Sequence, residues 1–325
     1  MTKLFHPFAL TALLSGSATL ATAEGVTLRY LASQGGLSAY ELADELGYFK
    51  GTGITLQNEG FAQGGPASLI ALAGGSVEIG SAATSAVLNS IAAGNDFVAV
   101  YPSNGINKNV QSIFYVLDDS PIKTVADIKG KTIAVNTLGA HLDYTVREAL
   151  HQAGLPEDSA NLVVVPGPQL EQVLRSKQVD IAAFGYWQTT FEGVARKAGG
   201  IRPIFGDTDI LGDIAGGFIV LRRDWIQAHP EAAKAFVAGS IKALDYAREH
   251  PEETKAIFAK ALAERSENPD VAQYFRGFGV RAGGLAEDRD IQFWIDVLER
   301  QGTIPASKLD ATKILYASVE RPVTN

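Results

Sequence analysis

Apolar and polar positions along the chain follow two periods in turn, one typical of strands and one typical of helices. Short apolar runs such as Val26–Ala32 end at small or polar residues and are followed by stretches with helical spacing. Alternation of strands and helices indicates an α/β fold, with sheets covered on both faces. The predicted strands are residues 26–32, 54–57, 77–80, 97–101, 112–117, 132–135, 162–165, 179–184 and 218–221.

Helices are predicted between these strands and through most of the chain after the last of them. They are expected up to about residue 46, from residue 66, at 85–93, 140–153 and 169–176, and from residue 188. Pro66 suits a helix start, where its missing N–H costs nothing, and Gly154 suits a helix end. Towards the C-terminus, apolar residues recur at helical spacing in Phe236–Leu244, Ile257–Leu262 and Ile291–Leu298.

Part of the pattern occurs twice. Val77–Ile79 aligns with Val179–Ile181, although chance similarity between two α/β units is an alternative explanation. Two similar lobes would place equivalent loops on opposite sides of a cleft. We therefore predict a discontinuous lobe 1 (24–117 plus 218–325) and a lobe 2 (118–217), each a mainly parallel sheet flanked by helices. The two crossings would form a hinge near Leu117 and Gly217.

The first 23 residues differ from the rest of the chain. A short polar start with Lys3 and His6 is followed by an Ala/Leu-rich stretch and by Ala21–Ala23, a small-x-small cleavage site. This arrangement predicts a secretory signal peptide, cleaved before Glu24. A membrane anchor is less favoured, because the apolar run is short and interrupted.

Composition narrows the class of protein. The formal net charge is −8, which argues against nucleic acid and anionic membranes as partners. There are no cysteines, so neither disulfides nor thiol chemistry are available. An acidic, exported and cysteine-free chain of 325 residues indicates a soluble protein of the bacterial periplasm, expected to be a monomer.

Motifs for catalysis and metal binding are incomplete. Gly130–Thr132 ends like a phosphate-binding loop, but Val125 stands where a glycine is required and the triplet precedes a strand. Asp207–Asp209 resembles the start of a calcium loop, but Phe218 occupies the position of the bidentate carboxylate. No pair of histidines has metal-ligand spacing. We therefore expect no cofactor, no metal and no enzymatic activity.

Four loops follow predicted strands at the edge where α/β sheets bind their ligands. Two glycines in the first loop, Ser33–Gly36, would allow backbone N–H groups to approach a ligand closely. The other loops are Gly80–Ser85, Asn136–His141 and Gly185–Gln188. Helix N-termini after such loops carry partial positive charge and favour an anionic group. Asp213, before the return crossing, could meet a ligand cation.

The expected ligand-binding residues come from these segments. They are Ser33, Gln34, Gly35, Gly36, Thr84, Ser85, Thr137, Gly139, His141, Tyr186, Trp187, Gln188 and Asp213. Each type also has an ordinary structural role: hydroxyls cap helices, a histidine in a first helical turn faces solvent, and aromatic residues fill the core.

Several stretches together resemble the periplasmic solute-binding proteins of ABC importers for nitrate, sulfonates and taurine. The resemblance covers nearly the whole chain after residue 23 and is carried by the order and spacing of the stretches. They are Glu45–Phe49 with Gly53–Ile54, Phe61–Gly65, Val125–Val135, Val179–Trp187 and Arg223–Glu231. This chain differs in having Gln188-Thr189 after Trp187, where the family commonly has a Trp-Asp-Pro-like run, so a carboxylate usual at that position is missing.

The resemblance implies a type II-like clamshell that closes on one solute and presents it to a membrane permease with a separate ATPase subunit. We expect a small anionic or zwitterionic organic solute, sulfonate- or taurine-like. A pyrimidine-type vitamin precursor or another flat aromatic solute is the alternative, because Tyr186 and Trp187 could sandwich a ring. An enzyme without cysteine chemistry and a sensor are further alternatives.

Overall fold

Most predicted strands form within a few residues of their predicted bounds, but the strand predicted at 77–80 is displaced to residues 80–83. The structure, a computed structural model, describes residues 25–316, so the predicted signal peptide lies outside the described residues. The strands are β1 Val26–Ser33, β2 Ile54–Ala62, β3 Gly80–Ala83, β4 Phe97–Ile106, β5 Ile113–Leu117, β6 Thr132–Val135, β7 Asn161–Val164, β8 Ile181–Phe184, β9 Ile201–Gly206 and β10 Ile214–Arg222.

The eleven helices of the described residues include those predicted from the sequence. They are α1 Ala39–Glu45, α2 Gly65–Ala73, α3 Thr84–Ala92, α4 His141–Gln152, α5 Leu170–Arg175, α6 Thr189–Ala198, α7 Asp207–Leu211, α8 Arg223–Ala228, α9 Pro230–Glu249, α10 Pro251–Glu264 and α11 Asp288–Arg300. Short 3₁₀ turns include Gly167–Gln169 and Pro269–Tyr274. Sequence patterns missed β9, α7 and α8, since each is short and lacks a clear period.

One half of the molecule is built on β1–β4 and β10, which we call the first sheet region. β1 pairs in parallel with β2, and β10 runs antiparallel between β3 and β4. The backbone N–H groups of Glu78 and Ile79 donate to the Arg29 carbonyl, at 3.0 and 3.1 Å, so the segment leading into β3 lies beside β1. The lateral order is therefore β2, β1, β3, β10, β4.

The second sheet contains β5–β9 in the order β7-β6-β8-β5-β9. β6 is parallel to β7 and β8, whereas β5 is antiparallel to β8 and β9. The strand order corresponds to that of the first sheet region. In each, the fourth strand, β10 or β5, follows a crossing from the other half of the molecule. This correspondence agrees with the repeated pattern in the sequence.

Two details of the predicted organisation change. The α/β clamshell-type fold is present, but its sheets are mixed instead of mainly parallel, because the crossing strands β5 and β10 enter from the opposite direction. β5 pairs within the second sheet, although the sequence interpretation assigned residues 112–117 to the first lobe. The chain therefore crosses between the sheets at residues 107–112 and 207–213. Apolar character alone does not determine which sheet a strand joins.

The C-terminal helices cover the first sheet region. Phe236 and Val237 of α9 and Phe258 of α10 are fully buried in its core. Trp294 of α11 is also fully buried, in a second cluster that includes β10 and the start of α4. Among residues 25–316, no helix combines the length and apolarity needed to cross a membrane.

Candidate functional site

A cleft of about 250 Å³ lies between the first sheet region and the second sheet. Loops at the carboxyl ends of β1, β2, β6 and β8 line it, as expected for an open α/β sheet. Ser103 and Asn104 of β4 and Phe275 and Gly277 after α10 also belong to the lining. The cleft is thus assembled from segments that are far apart in the sequence.

All four residues of the first loop, Ser33–Gly36, line the cleft. The Ser33 carbonyl accepts from the Gly36 N–H at 3.0 Å, and Gly35 has a φ of +63° that favours glycine. The Gly35 N–H donates to Glu267 Oε2 at 2.5 Å, and Arg265 donates to the Gly36 carbonyl at 2.6 Å. The loop is therefore fixed from behind by two charged side chains.

The N-terminus of α2 opens on the cleft through Gly64, Gly65 and Pro66. No side chain caps this helix, and Pro66 has no N–H, so the free N–H groups of its first turn are those of Gly65 and Ala67. Only glycine fits at position 65, because a Cβ there would lie 2.7 Å from the Cβ of Ala82. A Cβ on Gly64 would lie 3.4 Å from Nδ2 of Asn136, so the second sheet's loop is adjacent.

The second loop faces the cleft with Ser81, Ala82 and Ala83, whereas the predicted contacts Thr84 and Ser85 do not line it. Both side chains turn into the protein where α3 begins: Thr84 is 1% exposed and Ser85 0%. Thr84 Oγ1 donates to the Ala215 carbonyl at 3.2 Å. These two positions therefore have a structural role in this arrangement.

The third loop places Asn136 and Thr137 at the cleft, but not Gly139. Gly139 has a φ of +68°, and its N–H donates to Asp143 Oδ2 at 2.8 Å. The turn into α4 therefore requires glycine at position 139. The carboxylate of Asp143 lies in the first turn of α4, where a negative charge is favourable.

His141 lies behind the cleft wall and does not line it, contrary to the sequence interpretation. Its ring is completely buried, and Nε2 lies 2.8 Å from Oδ2 of Asp207, which is equally buried. The ring contacts Tyr186 edge to face, with centroids 5.0 Å apart, and Trp294 at 5.6 Å. His141 therefore supports the aromatic wall from its far side.

The fourth loop lines the cleft with Tyr186, Trp187 and Gln188. The Tyr186 N–H donates to Ser112 Oγ at 3.1 Å, and Gln188 Oε1 accepts from the Gly185 N–H at 2.9 Å. Burial raises the pKa of Tyr186 well above its usual range, so its phenol stays protonated.

Asp213 lies outside the cleft, in a separate depression of about 70 Å³ between the crossing segments and Arg281. Arg281 Nη2 lies 3.4 Å from the Asp213 carbonyl oxygen. Asp213 therefore does not line the cleft in this arrangement, and its contact with a ligand cation stays a prediction.

Sequence reasoning missed several lining residues. They include Ser38, Gln63, Ser103, Asn104, Gly167, Phe191, Phe275 and Gly277. Gln63 lies within the resemblance motif Phe61–Gly65, which could have identified it. The C-terminal contribution of Phe275 had no local signal, since only tertiary packing brings it to the cleft.

The described lining contains no Asp, Glu, Lys, Arg or His side chain. Its ionisable groups are the phenols of Tyr40 and Tyr186, and burial raises the pKa of each well above its usual range. Within residues 25–316, no group of three or more metal-ligating side chains could hold a metal ion. The cleft offers backbone N–H groups, hydroxyls, amides and aromatic rings, which suit binding.

Comparison with known proteins identifies the family. The NMT1/THI5-like family matches residues 37–254, more than half of the chain. The chain belongs to this family. A protein of Brucella abortus (strain 2308) that is named as a binding protein is 27% identical over 248 residues, covering 75% of this chain and 74% of the relative.

Two further proteins similar to this NMT1/THI5-like chain bear names that refer to sulfonates. One, from Escherichia coli (strain K12), is named as an aliphatic sulfonates-binding protein and is 28% identical over 212 residues, covering 65% of this chain and 63% of the relative. The other is the solved structure of an alkanesulfonate-binding protein from Xanthomonas axonopodis pv. citri bound to MOPS. It has a TM-score of 0.72 at 19% identity, covering 90% of this chain and 99% of the other. The structural likeness shows a periplasmic binding protein fold.

Proposed function

We propose that this protein is the solute-binding component of an ABC importer and captures a small organic anion of the sulfonate class. The observation that carries the proposal is the cleft between the two sheets, which has an uncapped helix N-terminus and no ionised side chain in its described lining. Membership of the NMT1/THI5-like family and the sulfonate-related names of similar proteins support it.

The clamshell interpretation treats the sheets as two lobes, residues 25–106 with 214–316 and residues 107–213. Two crossing segments, 107–112 and 207–213, join them, as in proteins that close by hinge bending. Ligand would favour the closed form by touching loops from both lobes at once.

An anionic head group fits the donor side of the cleft. Gly65 at the N-terminus of α2 and Thr137 both line the cleft, and no side chain caps the N–H of Gly65. Backbone N–H groups and a helix dipole stabilise an anion without a cationic side chain. Because Asp213 lies elsewhere, a sulfonate without an amine is favoured over taurine.

A flat aromatic solute, such as a pyrimidine-type vitamin precursor, is the second candidate. Trp187 and Phe191 line the cleft and could pack on a ring. An enzymatic role receives no support from the cleft, because its described lining provides no nucleophile with an adjacent base.

The cellular setting follows from the same proposal. The chain would act in the periplasm after removal of residues 1–23, as a monomer, and would deliver its solute to a permease that works with a separate ATPase subunit. A soluble receptor needs no nucleic acid or lipid contact, in agreement with the net charge of −8.

A thermal-shift screen on ligand-free protein tests the proposal. The protein is unfolded, dialysed and refolded, then heated with alkanesulfonates, taurine, nitrate, aromatic carboxylates and pyrimidines. A ligand at about one hundred times its Kd should stabilise the fold by about 2.7 kcal/mol. A shift with sulfonates supports the proposal, whereas shifts with pyrimidines alone support the second candidate. Absence of any shift with sulfonates overturns the assignment to the sulfonate class.

A further inference from the structure

The hydroxyl of Tyr186 has no hydrogen-bond partner in the described part of the chain. Its side chain lines the cleft, and only 4% of the surface of the residue is exposed, so its polar tip is largely withdrawn from bulk water. The backbone N–H of Tyr186 donates to Ser112 Oγ, but residues 25–316 provide no donor or acceptor for the phenol oxygen. A buried hydroxyl without a partner is unfavourable, so the phenol is a candidate to bond the solute.

Polar groups from the other lobe lie next to this phenol. A Cβ at Gly217 would lie 3.1 Å from Tyr186 Oη and 3.0 Å from Ser103 Oγ, so the two oxygens lie around one point. Both residues line the cleft, and so does Asn104, which follows Ser103 in β4. Among the described residues, the side chains of Ser103 and Asn104 have no hydrogen-bond partner either. Tyr186 Oη and Ser103 Oγ, which we call the hydroxyl pair, thus come from opposite lobes and meet in one part of the cleft.

The hydroxyl pair is close to the N-terminus of α2, where the proposed function places the anion. Ala82 lies between them. Its carbonyl oxygen would be 2.6 Å from the same Cβ at Gly217, and its own Cβ would be 2.7 Å from a Cβ at Gly65. A single residue therefore separates the free N–H of Gly65 from the hydroxyl pair. A solute with its anionic group at Gly65 reaches the hydroxyl pair through a short chain.

A hydroxyl group on the solute complements the hydroxyl pair better than a methyl group does. A hydroxyl provides one donor and two acceptor lone pairs, so it can donate to one member of the pair and accept from the other. Burial raises the pKa of Tyr186, so the phenol keeps the proton that it would donate. A methyl group in the same place leaves both protein hydroxyls without a partner. Because the pair comes from two lobes, a bridging group also favours the closed form.

We propose that the solute carries a neutral hydroxyl at the end of a short chain, so that the protein selects a hydroxyalkanesulfonate over an alkanesulfonate of the same size. The inference rests on the proposed function, because it takes the sulfonate at the N-terminus of α2 as given. It adds the group that the rest of the solute carries. That hydroxyl joins Tyr186 of one lobe to Ser103 of the other.

Titration calorimetry on the refolded protein tests the inference with isethionate and propanesulfonate. The two anions have the same number of non-hydrogen atoms and differ in a terminal hydroxyl or methyl group. We expect isethionate to bind at least about tenfold tighter, because only its hydroxyl satisfies the hydroxyl pair. An apolar pocket would give the opposite order, since the methyl group gains more by leaving water. The neutral sulfone methylsulfonylethanol keeps the hydroxyl without the charge and should bind more weakly than isethionate.

The outcomes separate the two proposals. If propanesulfonate binds as tightly as isethionate or more tightly, the inference is overturned and the sulfonate receptor stands. If methylsulfonylethanol equals isethionate, the negative charge is not recognised, so the proposed function is overturned and the inference falls with it. If neither sulfonate binds, both are overturned as well.

Variants connect the preference to the hydroxyl pair. Tyr186→Phe removes only the phenol oxygen, so the preference for isethionate over propanesulfonate should fall about tenfold. Ser103→Ala acts from the other lobe and should lower the preference in the same direction. Tyr101→Phe is the matched control, because Tyr101 is 2% exposed, packs on Phe236 in the core and does not belong to the described lining. A preference that survives both Tyr186→Phe and Ser103→Ala, or that Tyr101→Phe lowers equally, would overturn the role of the hydroxyl pair.

Discussion

Individual residues at the cleft show how charge is kept out of a polar site. The lining contains Asn104 and Asn136 where aspartates of nearly the same shape would fit. Of the nearby carboxylates, Glu41 and Glu267 share Arg265, whereas Glu192 pairs with Arg276. Because the described lining has no charged side chain, one charge added there should change ligand binding strongly.

Asn136→Asp should weaken sulfonate binding. The new carboxylate would stand beside the N-terminus of α2 and repel an anion, with an expected loss of roughly tenfold or more in affinity. Asn58→Asp is the matched control: Asn58 is exposed, lies outside the cleft, and can still accept from the Gly60 N–H. Calorimetry with ethanesulfonate compares the two variants. An unchanged affinity in a folded Asn136→Asp protein would place the anion away from α2.

His141 is expected to matter for stability more than for ligand contact. His141→Ala removes one member of a fully buried pair and leaves Asp207 without it, at a cost of about 3–5 kcal/mol in the free energy of unfolding. Replacing both residues with leucine should cost less, because no buried polar group is then left unpaired. Urea denaturation measures both variants. A double variant as unstable as His141→Ala would contradict this explanation.

At the scale of elements, each half of the molecule depends on contacts between strands that are not neighbours in sequence. Arg29 of β1 binds Glu78 with its backbone N–H at 2.8 Å and with its guanidinium at 2.9 and 2.5 Å. These bonds join β1 to the segment before β3, and β3 leads directly to Ala82 at the cleft. The pairing thus positions one wall of the site.

Glu78→Gln should lower stability in a pH-dependent way. Burial raises the pKa of Glu78, but hydrogen bonds and charge from Arg29 outweigh it, so the net pKa lies below its usual value of 4.5. A carboxylate with a depressed folded-state pKa stabilises the fold above its unfolded pKa, and this contribution is lost as pH falls through the folded value. The variant should cost about 1 kcal/mol near pH 7.

The same comparison at lower pH checks the sign. The difference in urea midpoint between wild type and Glu78→Gln should shrink as the pH falls from about 4.5 through the lower folded-state pKa of Glu78, below which the wild-type carboxyl is also neutral. Glu59→Gln is the control, because Glu59 is exposed and accepts from Gln57 within the same strand. A constant difference from pH 7 to pH 3 would show that charge is not the cause.

For the whole molecule, the contact between α6 and the segment around Pro269–Tyr274 holds the two halves together beside the cleft. Thr190 Oγ1 donates to the Gly35 carbonyl at 2.8 Å, and Arg276 bonds to Glu192. A Cβ on Gly193 would lie 2.3 Å from the Tyr274 ring, so the helix packs tightly through this glycine. We expect this contact to form on closing and to break on opening.

Gly193→Ala should therefore disfavour the closed form. Alanine strengthens α6 itself, so the lobe should remain folded, while the overpacked contact costs about 1–3 kcal/mol of ligand-binding free energy. Small-angle scattering should show less compaction with ligand than in the wild type. Gly239→Ala is the control, since a Cβ there would meet Phe49 at 2.6 Å within the first half. Gly239→Ala should lose stability but compact with ligand as the wild type does. If Gly193→Ala also compacts as much as the wild type, the contact between α6 and Tyr274 does not form during closing.

The sequence by itself determined most of the local structure. Strand β6 lies at the predicted residues 132–135, and the apolar periods after residue 230 predicted α9, α10 and α11 correctly. These features depend on the period of neighbouring side chains and on local signals such as Pro66, which act over a few residues. The position of the cleft followed from the same pattern, because the ends of strands in α/β folds meet at one edge.

Only the tertiary structure decided which loop residues face the cleft and which sheet each crossing strand joins. Thr84, Ser85 and His141 turn inward because their helices dock with that face against the core, and β5 joins the second sheet by pairing with β8 and β9. Phe275 reaches the lining through packing of the C-terminal segment. Such choices depend on contacts between residues far apart in the chain, which local composition and spacing do not encode.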